Sequence, residues 1–99
     1  MTYKLEFVAA AKKEWEKLDE TTRALFKKKL RERLENPHVP SAQLRRLPNC
    51  YKIKLRGAGY SLVYQVRDSV LVVCVVAVGK RERNQVYKLT GKRFQGKRY

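Results

Sequence analysis

The chain has 99 residues, 43% of them hydrophobic, which suffices for one compact domain with a core and leaves little room for two. It carries 24 Lys and Arg against 9 Asp and Glu, a net charge of +15, so the partners it attracts are polyanions: nucleic acid, an anionic membrane face or an acidic protein. No apolar signal segment opens the sequence, its longest apolar run (residues 70–78) is far below the roughly 20 residues of a transmembrane helix, and two cysteines with one histidine make no zinc-ligand pattern.

Tyr3, Leu5 and Phe7 alternate with polar residues and predict a short opening strand. Ala11, Trp15 and Leu18 then recur at helical spacing, with Lys and Glu between them, as expected of a first amphipathic helix. Asp19 to Thr22 interrupts that stripe and supplies caps for a second helix, in which Phe26, Leu30 and Leu34 align. Asn36-Pro37 stops it. The proline-punctuated connector over 37–48 contains Gln43, Leu44 and Arg45 as a possible short edge strand. Tyr51, Ile53 and Leu55 alternate with Lys52, Lys54 and Arg56, and Gly57-Ala58-Gly59 marks a turn into a second alternating run through Tyr60, Leu62, Tyr64 and Val66. After Asp68-Ser69, residues 70–78 read as a β-branched strand covered on both faces. Gly79 ends it, residues 84–89 or slightly more form a last helix, and residues 91–99 read as a mobile tail. The whole is one domain over 1–99, with Cys50 and Cys74 both expected to be reduced.

Register can be read from the same alternation. Ile53 and Leu55 share a face with Tyr60 and Leu62 only if paired positions sum to an odd number. That pairing leaves Lys52 and Lys54 together on the opposite face, with Ser61 beside Lys54. Three cations at period two (Lys52, Lys54, Arg56) span about 14 Å and suit a phosphate-binding face. They equally suit a solvated strand protected from edge pairing, and spacing alone favours neither reading. Lys80, Arg81 and Arg83 follow the buried strand, at a strand end where a rigid element aims a functional loop. His38 is alone between two prolines and cannot form a histidine acid–base pair.

Several segments together resemble the RelE family of toxins from prokaryotic toxin–antitoxin systems, over nearly the whole chain. They are Lys13-Glu14-Trp15 with Lys17-Leu18, Lys27-Lys28-Lys29-Leu30, Asn36-Pro37, Cys50-Tyr51-Lys52-Ile53-Lys54-Leu55-Arg56, Leu62-Val63-Tyr64-Gln65-Val66 and Val78-Gly79-Lys80-Arg81-Glu82-Arg83 followed by Val86-Tyr87. The resemblance implies an α+β fold akin to the microbial ribonucleases: an antiparallel sheet packed on an N-terminal helical hairpin, with a short C-terminal helix. It implies a cytoplasmic, ribosome-dependent and metal-independent endonuclease that cuts mRNA in the ribosomal A site with the RNA 2′-hydroxyl as nucleophile, and no cofactor. The family's catalytic residues fall on Lys52, Lys54, Arg81 and Tyr87. A further catalytic arginine of the family is replaced here by Ser61, which implies an attenuated toxin. Arg56, Lys80, Arg83 and Arg45 are the expected RNA-binding residues.

Arginine does not deprotonate in proteins, so Lys54, crowded by cations, is the candidate base. Lys52 and Arg81 would stabilise the phosphorane and the leaving oxygen. The expected partners are a RelB-like antitoxin and the ribosome, through its rRNA and A-site mRNA; no membrane is expected, and operator DNA is reached only through the antitoxin. The alternative is a non-catalytic ribosome-binding module or an antitoxin-dependent co-repressor.

Overall fold

The structure is a computed structural model that describes residues 2–80 and 85–95. Strand β1 (Lys4–Phe7) leads into helix α1 (Ala9–Glu16) and helix α2 (Glu20–Glu35). Strands β2 (Cys50–Leu55), β3 (Tyr60–Arg67) and β4 (Val72–Lys80) follow, and helix α3 (Gln85–Gln95) closes the described chain. The four strands form one sheet in the order β1-β4-β3-β2.

The hairpin of α1 and α2 forms where the apolar stripes predict it. Asp19 caps α2: its carboxylate accepts from the Thr22 amide at 3.1 Å and from the Thr22 hydroxyl at 2.6 Å. The helix stops at Glu35, before Asn36-Pro37. Ala11, Trp15, Leu18, Phe26 and Leu30 are all buried against Ile53, Leu55, Leu62, Tyr64, Val66, Val73 and Val75 on one face of the sheet. This is the main core. Phe7, Trp15 and Phe26 follow one another at ring separations of 5.3 and 6.3 Å, tilted rather than stacked, as aromatic quadrupoles prefer.

The β2–β3 ladder has the odd-sum register: Lys52 pairs with Val63, Ile53 with Leu62 and Lys54 with Ser61. The cationic face with Ser61 beside Lys54 is therefore present as the alternation required. Gly59 closes the intervening turn at φ +71°, its amide donating to the Leu55 carbonyl at 2.9 Å.

Four features differ from the sequence reading. Strand β1 runs parallel to β4 in an otherwise antiparallel sheet, because α1 and α2 intervene and the chain returns to β4 from the far edge. Strand β4 begins at Val72, not at residue 70. Asp68–Val70 forms a single 3-10 turn and Leu71 takes a left-handed conformation at φ 54°, which reverses the chain and leaves Val70 61% exposed. Only an isolated bridge, Gln43 to Tyr51, represents the edge strand expected near residues 43–45; Pro40–Ala42 forms a 3-10 turn before it.

Finally, α3 continues through residues 91–95, which were expected to belong to a mobile tail. Arg93 explains the extension. Its guanidinium pairs with Glu14 of α1 (2.9 and 3.1 Å) and donates to the Val76 carbonyl. The same Glu14 carboxylate accepts the Val78 amide at 3.1 Å. Strand β4 lies past the end of β1 at these residues, and the β3–β4 register skips one residue at Val76, so its edge groups find side-chain partners instead of a ladder. Residues 96–99 lie outside the described residues.

Candidate functional site

Opposite the main core, the sheet carries a second and smaller apolar cluster of Cys50, Val63, Ala77 and Val86, bordered by Leu44, Leu47 and Tyr87. Helix α3 supplies Val86 and Tyr87 and so covers this face. Lys52 and Lys54 stand on the same face, each partly buried, on the edge strand β2. Across the sheet, Lys54 pairs with Ser61 and Ser61 pairs with Gly79, so three strands align these positions in one row. Lys80, the last residue of β4, pairs with Tyr60 next to that row and is exposed.

Ser61 is fully buried, and its Oγ lies 3.1 Å from the Tyr87 hydroxyl. The two predicted positions 26 residues apart in sequence are thus joined directly. The serine is a satisfied polar group under α3, and it ties the aromatic residue of the last helix to the lysine row. Of the predicted site residues, the structure brings together Lys52, Lys54, Ser61 and Tyr87. Arg56 is exposed at the same end of β2. Arg45 is exposed too, but it lies in the connector before the Cys50 end of β2, the opposite end of the strand from Arg56. Arg81 and Arg83 lie outside the described residues.

Sequence reasoning missed Arg33. This residue of α2 donates from one guanidinium nitrogen to the Lys52 carbonyl at 3.2 Å and to the Tyr64 hydroxyl at 2.8 Å. Its guanidinium also lies 5.7 Å from the centre of the Tyr64 ring. Tyr64 is fully buried, and its hydroxyl in turn donates to the Pro37 carbonyl at 2.8 Å. Burial pushes that hydroxyl up, so it remains a donor at neutral pH. Arg33 therefore clamps the backbone of Lys52 from the core side while the lysine side chain points to the other face. The signal available in sequence was an arginine in the last turn of a helix, which also reads as a solvated cation complementing the helix dipole.

His38 is a structural residue. Its Nδ1 lies 3.0 Å from the Tyr51 hydroxyl and its Nε2 2.8 Å from Asp68, which also accepts from the Tyr3 hydroxyl at 2.6 Å. This cluster sits at the Arg67 end of β3, away from Ser61. Cys50 and Cys74 are both buried and form no disulfide. Burial, and then Cys74, pushes the Cys50 thiol up to about 12, so it is neutral and packs as an apolar group. Among the described residues no group of His, Cys, Asp or Glu could hold a metal ion, and no helix is long and apolar enough to cross a membrane. The face offers primary amines, a phenol and a hydroxyl. These can bind a phosphodiester and move protons around it.

Residues 5–85 match the family model described as the ParE toxin of the type II toxin–antitoxin system parDE. The chain is 55% identical over 94 residues to the mRNA interferase toxin RelE of Escherichia coli K12, spanning 95% of this chain and 99% of that protein. It superposes on the isolated E. coli RelE toxin with a TM-score of 0.79 at 53% identity, covering 93% of this chain and 98% of that one. The RelE chain of the intact E. coli RelBE toxin–antitoxin complex matches with a TM-score of 0.79 at 56% identity, covering 82% and 99%.

Proposed function

The chain belongs to the RelE family of type II toxin–antitoxin toxins, and from that premise we propose that it is an mRNA interferase: a metal-independent endoribonuclease acting on the codon in the ribosomal A site. The observation that carries this reading is the convergence of Lys52, Lys54, Ser61 and Tyr87 on one face of the sheet, beneath α3. A passive RNA binder needs positive charge. It has no need for a phenol anchored beside a lysine row.

In this reading the RNA 2′-hydroxyl attacks its own 3′-phosphate. Lys54 takes the proton, while Lys52 and Arg81 stabilise the charge that develops on the phosphorane and the leaving 5′-oxygen. Tyr87 orients the reacting nucleotide. The ribosome supplies the in-line geometry that so small a site does not impose alone. Ser61 contributes no positive charge at its position, so the enzyme is slower than a relative with arginine there. Its protein partner is a RelB-like antitoxin, its working compartment is the cytoplasm, and operator DNA is reached through that antitoxin.

Cleavage of mRNA on programmed ribosomes tests the proposal. The wild-type chain should cut in the A site. Lys54→Ala should cut on the order of 10² to 10³ more slowly while still sedimenting with ribosomes. Ser61→Arg should cut faster than wild type, provided its circular dichroism spectrum shows an intact fold. Absence of wild-type cleavage on ribosomes would leave only a ribosome-binding module or co-repressor. Equal rates for wild type and Lys54→Ala would remove the assigned base, and a Ser61→Arg rate no higher than wild type would remove attenuation.

A further inference from the structure

A cleft of about 590 Å³ opens between α2 and the β2–β3 turn, at the edge of the sheet. Leu25 and Lys29 of α2 form one wall; Lys54, Arg56 and Ala58 form the other. Its size is that of a site for one small group such as a nucleotide. Three of its lining residues are cationic, and none is acidic. Leu25 is one of three large hydrophobic residues that the described chain exposes, at 45%. Its neighbour Phe26 and, one turn on, Leu30 are buried in the main core, so α2 is fixed and Leu25 and Lys29 are held facing the turn. The turn is fixed as well, by the Gly59–Leu55 hydrogen bond. The cleft thus lies between a helix anchored in the core and a turn closed by a backbone hydrogen bond.

Lys54 belongs both to this cleft and to the row with Ser61. β2 is the edge strand, and the Gln43–Tyr51 bridge occupies its edge at the Cys50 end, so an extended chain lying on the lysine face can pass over the edge at Lys54. We infer that the cleft is a phosphate-and-ribose subsite for single-stranded RNA, seating the nucleotide next to the one that reacts at Lys54. Lys29 and Arg56 hold its phosphate, and Leu25 with Ala58 packs against its sugar. No aromatic residue lines the cleft, so it grips the backbone without reading the base. The inference rests on the endoribonuclease reading for the direction of the strand, and Lys29 and Leu25 are its new members.

The test is binding of a short 2′-O-methyl RNA, which cannot be cut through its 2′-oxygen, to the isolated chain across a salt series. The double variant K29A/R56A should bind on the order of tenfold more weakly at 0.1 M salt. The slope of log affinity against log salt should fall by about 0.7, the contribution of the one single-strand phosphate that the two residues hold. Resonances of Leu25 and Ala58 should shift on RNA addition to the wild type. An unchanged salt slope, or shifts confined to other parts of the surface, would overturn the subsite. So would a poly-glutamate peptide that binds with Lys29 dependence where RNA does not, which would assign the cleft to an acidic protein segment. None of these readouts uses cleavage: a chain that fails to cut on ribosomes yet passes this test loses the enzymatic reading and keeps the subsite.

Discussion

The two faces of the sheet are built on opposite principles. On the α1–α2 side, aromatic and aliphatic residues interlock, and the buried Tyr64 hydroxyl is satisfied within the protein. On the α3 side, a four-residue apolar cluster shares the surface with two lysines and a serine–tyrosine hydrogen bond. The first face can supply most of the folding free energy because apolar burial is cooperative and nearly complete there. The second sacrifices burial to keep cations together, which costs stability through their mutual repulsion. A 99-residue chain with a net charge of +15 can hold such a face only because the other one is dense.

Breaking the dense face should have the largest effect. Phe26 is fully buried, and Phe26→Ala should cost about 3–5 kcal/mol, a large part of a small domain's stability. Chemical denaturation should show the loss, while cleavage per folded molecule stays close to wild type. A loss below about 1 kcal/mol would mean that the core collapses around the gap and that the division between the faces is overstated.

Arg33 sharpens the comparison, since it stands on the core side and touches the backbone of a lysine whose side chain belongs to the other. Arg33→Met should cost about 1–3 kcal/mol, because the Lys52 carbonyl on the edge strand loses its donor. Unlike Phe26→Ala, it should also lower the single-turnover cleavage rate of the folded fraction, on the order of tenfold, with little change in RNA affinity; one factor of ten corresponds to about 1.4 kcal/mol in the barrier. Arg33→Lys should recover part of that rate. A stability loss with an unchanged rate would confine Arg33 to the core.

The smallest effect is expected at the exposed cluster that belongs to neither face. The Tyr3 hydroxyl, and then the His38 ring, hold the Asp68 carboxyl below its ordinary value. A carboxylate whose pKa is lowered by folding adds stability above its unfolded value, roughly pH 4, and that stability is lost as pH falls through the folded value. The Tm of the wild type should therefore fall more steeply below roughly pH 4 than that of Asp68→Asn, with cleavage at neutral pH equal in the two. Parallel Tm curves would show that the cluster contributes nothing to the acid limb.

Much of this architecture can be read without coordinates. Alternation over residues 51–66 sets the parity of the β2–β3 register, because an even sum would bury Lys52 and Lys54 with Leu62; it therefore also places Ser61 beside Lys54. Asp19 and Asn36-Pro37 bound α2 through local hydrogen bonding and local sterics, both of which act within a few residues. The direction of β1 was not readable, since alternation is the same for either orientation. Nor was the length of α3, whose last turn depends on a pairing between Arg93 and Glu14, 79 residues apart.

For the same reason the candidate site was only partly visible. A resemblance in sequence pointed to Lys52, Lys54 and Tyr87 as candidates, and the pleat of a strand put the two lysines on one face. Tertiary packing alone decided that Tyr87 meets Ser61, that Arg33 grips the Lys52 carbonyl, and that Lys29 and Arg56 share a cleft. Sequence periodicity determines which side of an element a residue occupies, because that follows from the repeat of a single strand or helix. Which residues of separate elements meet depends on how those elements pack, and no local repeat encodes it.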